Sequence, residues 1–367
     1  MSVHDDSWKF AAALAALPLQ SPRRLRMLLR IGEPEDVWNM LRSKDRPLVG
    51  IDDEVWRAWH GAPSSLLEIT ASNCEKAHVA VATFRDSHYP TALIGDHQAP
   101  PVVFMVGNPD LLQNRRVGII GTRTSTRSGQ RFARLLGQQL AEEGVCVVSG
   151  LARGIDVEGH VGALMANSSH ASGPCAVVAS GPDVVYPREH AGIWKQISER
   201  GILMSESPPG VAPETHRFPM RNRIIAGLSE VLVVVESRSR GGSMITVREA
   251  MKRDVTVMAV PGAPSVNASE GTNDLLRDGC SPVTCVEDVL IALGLNAHRS
   301  CAHADTREAP THDERHVLAA LGRSPRTIDE VALLTPFSVV DVAVLLGRLE
   351  AKGWTIHTNG WWEALMA

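Results

Sequence analysis

The stretch Val145-Cys-Val-Val-Ser149-Gly150-Leu-Ala-Arg153-Gly154-Ile-Asp156 runs from an apolar, β-branched segment through two glycines and an arginine into the start of a helix. Strand, tight turn and helix start make one unit of an alternating fold. The same order recurs on either side. Val117-Gly-Ile-Ile-Gly121-Thr-Arg123 leads into a helix with apolar spacing at Phe132, Leu135, Leu136 and Leu140, and Ser239-Arg-Gly241-Gly242-Ser243 leads into another. Further short apolar runs fall at Ala176 to Ala179, Ile202 to Ser205, Val231 to Glu236 and Val255 to Val260. Strands buried on both faces read as continuous apolar runs. The rhythm therefore predicts an α/β domain with a doubly wound, mainly parallel sheet, whose ligands lie beyond the carboxyl ends of the strands.

Glycines in those turns let the backbone approach a ligand, and helix N-termini present N–H groups to an anion. Together the three motifs describe an anion-binding rim. Its ligand is narrowed by what the chain lacks. There is no Gly-x-x-x-x-Gly-Lys-Ser/Thr loop, the first turn is not Gly-x-Gly-x-x-Gly, and no His, Cys and carboxylate cluster has metal-ligand spacing. No cofactor and no metal are expected. His160, His190 and His216 are scattered and read as ordinary surface or helix-end histidines. Asp156 reads as a residue that caps or orients the Arg153 loop, with a general-base role as the alternative.

The densest basic segment is Arg217-Phe-Pro-Met-Arg-Asn-Arg-Ile-Ile-Ala-Gly-Leu228, which sets three arginines around an aromatic. Arginine forks match phosphate oxygens and Phe218 offers a face for a base, a combination suited to a phosphate backbone but not to reading sequence. The rest of the composition keeps such a site local. A chain of 367 residues with 44% hydrophobic content and a net charge of -4 is globular and carries no general basic coat. Six cysteines form no Cys-x-x-Cys pair, which suits a reducing cytoplasm without structural zinc. No apolar run approaches the roughly 20 residues that span a bilayer, and Met1-Ser-Val-His-Asp-Asp lacks the features of an export signal. A cytoplasmic protein with no membrane contact is expected.

Two smaller parts flank the α/β region. Residues 1–75 read as a helical domain: Trp8 to Leu17, then Ser21-Pro22 as a cap, then Arg23 to Arg30 closed by Ile31-Gly32. Its Arg23, Arg24, Arg26 and Arg30 suit either phosphate contacts of the helix-hairpin-helix kind or a solvated helix face. Residues 76–295 hold the α/β domain, and the polar segment 296–313 reads as a linker. Residues 314–367 give helices at Glu314 to Leu321, after the capping box Thr327-x-x-Glu330, and at Ser338 to Lys352. A hairpin through Trp354 to Thr358, Asn359-Gly360 and Trp361-Trp362 follows, and the order is that of a winged helix. Asp341, Arg348, Glu350 and Lys352 give its third helix a balance of charge that suits a protein contact or autoinhibition at least as well as a DNA groove. The hairpin tryptophans read as core of this domain.

Several collinear motifs resemble the DNA-processing protein A (DprA, also Smf) family. They are Ser149-Gly-Leu-Ala-Arg-Gly-Ile-Asp156, Asp183-Val-Val-Tyr-Pro-Arg-Glu189, Ser205-Glu206 with Pro208-Pro209-Gly210, Phe218-Pro-x-Arg-Asn-Arg-Ile-Ile-Ala-Gly-Leu228, Gly242-Ser-x-Ile-Thr246, Val260-Pro-Gly262 and Gly271-Thr-Asn273. The resemblance covers roughly Phe84 to Leu293. It implies an extended Rossmann-like domain that binds single-stranded DNA, dimerises through that domain, loads RecA recombinase and displaces single-strand-binding protein in natural transformation, with no established catalytic activity. It also suits a sterile-alpha-motif-like N-terminal part and a winged-helix C-terminal part.

Carried onto this sequence, the resemblance makes Arg123, Arg153, Arg217, Phe218, Arg221, Asn222 and Arg223 candidate DNA contacts. Gly121, Ser149, Gly150, Gly154, Gly242 and Ser243 join them on the rim, the glycines at 150, 154 and 242 and Ser243 as backbone donors. Asn222 suits bracing as well as contact. Two departures stand out: Thr215 occupies a position where members often carry lysine, with Arg217 as its possible substitute, and Ala179-Ser-Gly-Pro182 replaces a Gly-Cys-Gly-like turn. The rival expectation is a nucleotide phosphoribohydrolase of related fold, in which Gly241-Gly242-Ser-Met-Ile-Thr246-Val-Arg-Glu249 would carry Glu249 as the acid.

Overall fold

The computed structural model describes residues 6–43, 51–295, 307–322, 325–358 and 360–365. Contacts divide the chain into two compact units, residues 1–296 and 297–367. The first opens with five helices, α1 (Ser7–Ala15), α2 (Pro22–Ile31), α3 (Pro34–Arg42), α4 (Asp53–His60) and α5 (Leu66–Lys76). At the start of α2 the Ser21 hydroxyl accepts the Arg24 N–H at 3.3 Å and Pro22 takes the first helical position, as the sequence predicts.

The sheet follows as β1 (Ala80–Thr83), β2 (Val102–Gly107), β3 (Arg116–Gly121), β4 (Cys146–Ser149), β5 (Cys175–Val178), β6 (Ile202–Ser205), β7 (Val231–Glu236), β8 (Thr256–Ala259) and β9 (Ser281–Pro282). Spatial order is β1-β2-β6-β5-β4-β3-β7-β8-β9. From β6 to β9 every pair is parallel, whereas β2 runs antiparallel to β6 and β1 antiparallel to β2. Between the strands lie α6 (Arg127–Glu142), α7 (Ile155–Met165), α8 (Ala191–Arg200), α9 (Arg217–Leu228), α10 (Ser243–Met251), α11 (Glu270–Arg277) and α12 (Val286–Ala292). Leu164 of α7 with Trp194 and Ile197 of α8 cover one face of the sheet at Ala176, Val178 and Leu203. Ile224 and Leu228 of α9, Val247 of α10 and Leu275 of α11 cover the other.

Strand alternation explains how the first five helices are held. Along β2 the side chains point to opposite faces in turn. Val103 and Met105 enter the core shared with α9, while Val102 and Phe104 enter the core made by Leu14, Leu28, Leu41 and Trp59. One strand thus serves two cores.

The second unit contains α13 (His312–Leu321), α14 (Ile328–Leu333), α15 (Val339–Ala351) and the hairpin β10 (Thr355–Thr358) and β11 (Trp361–Ala364). Both Thr311 with Glu314 and Thr327 with Glu330 form reciprocal capping boxes. Trp362 is buried with Val317, Leu321, Leu346 and Leu349, whereas Trp361 is exposed. Residues 296–306 of the expected linker and Asn359 of the expected hairpin turn lie outside the described residues.

Candidate functional site

Strand order fixes where a ligand of an open α/β sheet would ordinarily sit. Chain direction reverses its progress across the sheet at β3, which has β4 on one side and β7 on the other, so the switch-point crevice lies between the carboxyl ends of β3 and β7. That crevice is filled by protein. The carboxylate of Glu236, at the end of β7, accepts the Thr126 N–H at 2.8 Å and the Thr126 hydroxyl at 2.5 Å, at the entrance to α6. Gly129 in the first turn of α6 packs directly against that carboxylate, since a Cβ there would lie 2.4 Å from the Glu236 carboxyl carbon. The anion that a helix N-terminus favours is therefore already supplied from within.

One strand over, the pattern repeats. Asp156, in the first turn of α7, accepts the Gly150 N–H at 3.2 Å. Asp156 braces the turn that carries Arg153. Burial raises its carboxyl above the ordinary 3.8, against the pull of the Arg221 charge and the loop N–H groups. Two of the expected rim residues are thereby reassigned. The Gly150 N–H is committed to Asp156, and the Ser149 hydroxyl is fully buried and donates to the Ile119 carbonyl at 2.6 Å. Gly121 and Gly154 serve close packing: a Cβ at Gly121 would stand 2.4 Å from Ile155, and at Gly154 (φ +79°) 2.3 Å from the Thr122 carbonyl.

The open space lies above β4 and β5 instead. A shallow cleft open to solvent is lined by Arg123, Leu151, Arg153, Ser180, Tyr186 and Phe218, with Gly150 and Arg221 at its floor. Phe218 stands in the first turn of α9, its ring centroid 5.5 Å from that of Tyr186 and tilted by 50°. The Arg123 guanidinium lies 5.3 Å from the Phe218 ring centroid, within cation–π range. Arg123 is exposed and has no acidic partner among the described residues. One free cation beside two aromatic rings makes a place where a flat group can stack and an anion can be held.

The other arginines are engaged. Arg153 forms a bidentate pair with Glu189, one bond at 3.0 Å. Arg223 pairs with Glu206. Arg217 does not line the cleft; it donates to the Ser207 hydroxyl at 3.2 Å, lies 3.8 Å from Glu214, and lines a second, open pocket that also touches α1 and α2. Arg221 is only 5% exposed. Its guanidinium donates to the Gly150 carbonyl at 2.5 Å and to the Val177 carbonyl, joining the ends of β4 and β5, while its Nε donates to Asn222 Oδ1 at 3.2 Å. Burial beside the cleft pulls Arg221 down to about 10. The expected DNA contact Arg221 is therefore an internal brace in this structure, because its guanidinium is spent on the protein, and the partly buried Asn222 accepts from it. Gly242 and Ser243 begin α10 beyond β7, outside the cleft, with the Ser243 hydroxyl donating to Ser237 at 2.7 Å.

Two residues to which the sequence reading gave no role, Tyr186 and Glu189, matter here. Tyr186 and Glu189 come from the Asp183 to Glu189 segment, where an aromatic followed by proline and a charged pair was the available signal. His160, read from the sequence as a surface or helix-end histidine, is instead fully buried in the middle of α7. Burial, with the Arg221 charge adding to it, lowers its pKa to about 3. In the Ala179-Ser-Gly-Pro182 turn that departs from the family pattern, Ser180 secures the loop by donating to the Val184 carbonyl at 2.7 Å.

The sequence profile described as DNA recombination-mediator protein A matches residues 80–294, more than half of the chain. The chain belongs to this family. A second profile, the DprA winged helix domain, matches residues 302–355. Among relatives of the recombination-mediator chain, Protein Smf of Escherichia coli is 33% identical over 279 residues, 74% of each chain. DNA processing protein DprA of Streptococcus pneumoniae is 37% identical over 205 residues, 56% of this chain and 71% of its own. The X-ray structure of the pneumococcal protein superposes with a TM-score of 0.64 at 29% identity, covering 79% of this chain and 98% of that one. DNA processing protein A from Helicobacter pylori, solved for its single-stranded DNA binding mode, gives a TM-score of 0.53 at 27% identity over 59% of this chain and 97% of its own. This chain therefore joins the family's Rossmann-like sheet to a winged helix.

The position assigned to a catalytic acid under the rival reading is held differently. Glu249 pairs with Lys252 at 2.7 Å and with Arg253 at 2.7 Å. Burial alone would raise its carboxyl, but these two cations hold it below the ordinary 4.5, so it is an ionised partner in a salt-bridge cluster. Among the described residues no helix is long and apolar enough to cross a membrane, and no group of three or more His, Cys, Asp or Glu could hold a metal.

Proposed function

We propose that this recombination mediator captures single-stranded DNA in the cleft above β4 and β5, by binding rather than by catalysis. The observation that carries the reading is the Arg123, Phe218 and Tyr186 cluster: an unpaired cation over one aromatic face, with a second ring 5.5 Å away. A base stacks on Phe218 or Tyr186 while Arg123 takes the adjoining phosphate. Arg153 joins by exchanging Glu189 for a phosphate, and the N–H groups of Gly242 and Ser243 at the start of α10 extend the path. Arg217 and Arg223 support it from the far side of α9. Each stacked base contributes about 1–3 kcal/mol without sequence readout. On this reading the protein works in the cytoplasm as a homodimer through the Rossmann-like domain. It protects incoming DNA, displaces single-strand-binding protein and loads RecA recombinase in transformation or recombination. Residues 1–75, 76–295 and 314–367 are its three working parts, joined after 295 by the 296–313 linker.

Fluorescence anisotropy with a labelled dT oligonucleotide, against duplex of equal length and over a salt series, tests the proposal. Phe218→Ala is expected to weaken binding by about tenfold or more. Arg123→Ala is expected to weaken it for all sequences alike and to flatten the salt slope by about 0.7. Equal affinity for duplex, or indifference to both substitutions, would refute it.

A further inference from the structure

α15 buries Val342, Leu345, Leu346 and Leu349 in the core of its unit. At about 100° per residue the opposite face carries Val340, Val344 and Gly347. Val340 is 72% and Val344 50% exposed, and nothing lies within 4 Å of the point where a Cβ on Gly347 would stand. The end of α14 exposes Leu333 at 86% and Leu334 at 57%. A helix that reads a DNA groove presents polar and basic side chains. This one presents an apolar strip, which needs a protein against it.

Charge on the flank of the strip selects the occupant. Asp341 and Arg348 lie two turns apart on the same flank, both exposed; one Asp341 carboxylate oxygen accepts the Ser338 hydroxyl at 2.6 Å, and Arg348 has no acidic partner among the described residues. A two-fold axis perpendicular to a pair of helices keeps like flanks together. An antiparallel copy therefore sets Asp341 against the partner's Arg348 and Arg348 against the partner's Asp341, the self-complementarity that an isologous contact requires. We infer that the exposed face of α15 is a self-association surface on which a second copy of this chain packs its own α15 antiparallel about a two-fold axis near Val344. The contact is independent of the cleft and of pairing through the sheet domain, so it links pairs into larger assemblies.

Full-length protein in which Cys280, Cys285 and Cys301 are replaced by serine provides the test. Under mild oxidation Val344→Cys is expected to form a disulfide-linked dimer, because the two sites meet at the axis, whereas Val340→Cys is not. Val344→Glu, at an exposed site, is expected to leave the melting temperature unchanged and to weaken concentration-dependent association by about tenfold in sedimentation velocity. Asp341→Arg is expected to weaken it as well, and mixing that chain with Arg348→Asp to restore it. Cross-linking of both cysteine variants would overturn the antiparallel register. Absence of cross-linking with association unchanged in Val344→Glu, or loss of DNA affinity alone in that variant, would overturn the surface itself.

Discussion

Replacing Arg221 by alanine separates bracing from DNA contact. The side chain is 5% exposed and its guanidinium spans the Gly150 and Val177 carbonyls, with Asp156 close enough to feel its charge. Truncation leaves two buried carbonyls without a donor, at about 1–3 kcal/mol each, and a buried carboxylate without its counter-charge. A loss of about 3–5 kcal/mol follows, typical of removing one partner from a buried charged arrangement. For a unit of this size that is a fall in Tm of the order of 10 °C. Lysine should not rescue the loss, because a single ammonium on a flexible stem cannot reproduce the fork. The pH dependence has a defined sign. Asp156 already titrates above its ordinary 3.8 in the folded chain, so its contribution to stability declines as pH rises through that raised value. Without Arg221 the value rises further, and the penalty relative to the native chain should be larger at pH 7 than at pH 5. Thermal unfolding followed by circular dichroism at both pH values measures this. An unchanged Tm combined with lost DNA affinity would refute the brace and return Arg221 to the list of direct contacts.

Two further substitutions probe the interior of the site. His160 stays neutral when folded, with a pKa near 3, but protonates from 6.5 when unfolded, so folding stability is lost as pH falls below 6.5. At pH 5 this amounts to about 2 kcal/mol, and His160→Leu should abolish that part of the acid loss in urea titrations; a parallel decline in both chains would contradict it. Glu236→Ala should lower stability by about 1–2 kcal/mol by removing the acceptor for Thr126 at the entrance to α6. It should also create an anion site there, so that phosphate raises the variant's Tm more than the native chain's; identical responses would contradict the internal-anion account.

The six central strands were legible because each is a short run buried on both faces, which leaves no polar alternation to confuse the reading. Runs such as Ile202 to Ser205 and Val231 to Glu236 agree with the structure to the residue. β1 and β2 were not, since Val102 to Gly107 follows two prolines and serves an antiparallel edge with a different core on each face, outside the strand and helix rhythm. The motifs located the site to the correct strand ends but not to the correct atoms. Composition reveals that Arg221 and Arg223 are basic; only the fold reveals that one is sealed under the β4 turn and the other is paired with Glu206. Likewise the glycines suggest free backbone donors, whereas Glu236, distant in sequence from Thr126, occupies one of those helix ends, and Asp156, whose capping role was legible nearby, occupies another.

The central claim is that bases enter the cleft between Arg123, Phe218 and Tyr186. Photocross-linking of a 4-thiothymidine-labelled dT oligonucleotide to the full-length protein, with the attached peptide mapped by mass spectrometry, tests it most directly. The account predicts adducts at Phe218 or Tyr186 that disappear in Phe218→Ala with Tyr186→Ala. Adducts confined to the winged-helix unit, or spread over the protein and unaffected by those substitutions, would contradict it.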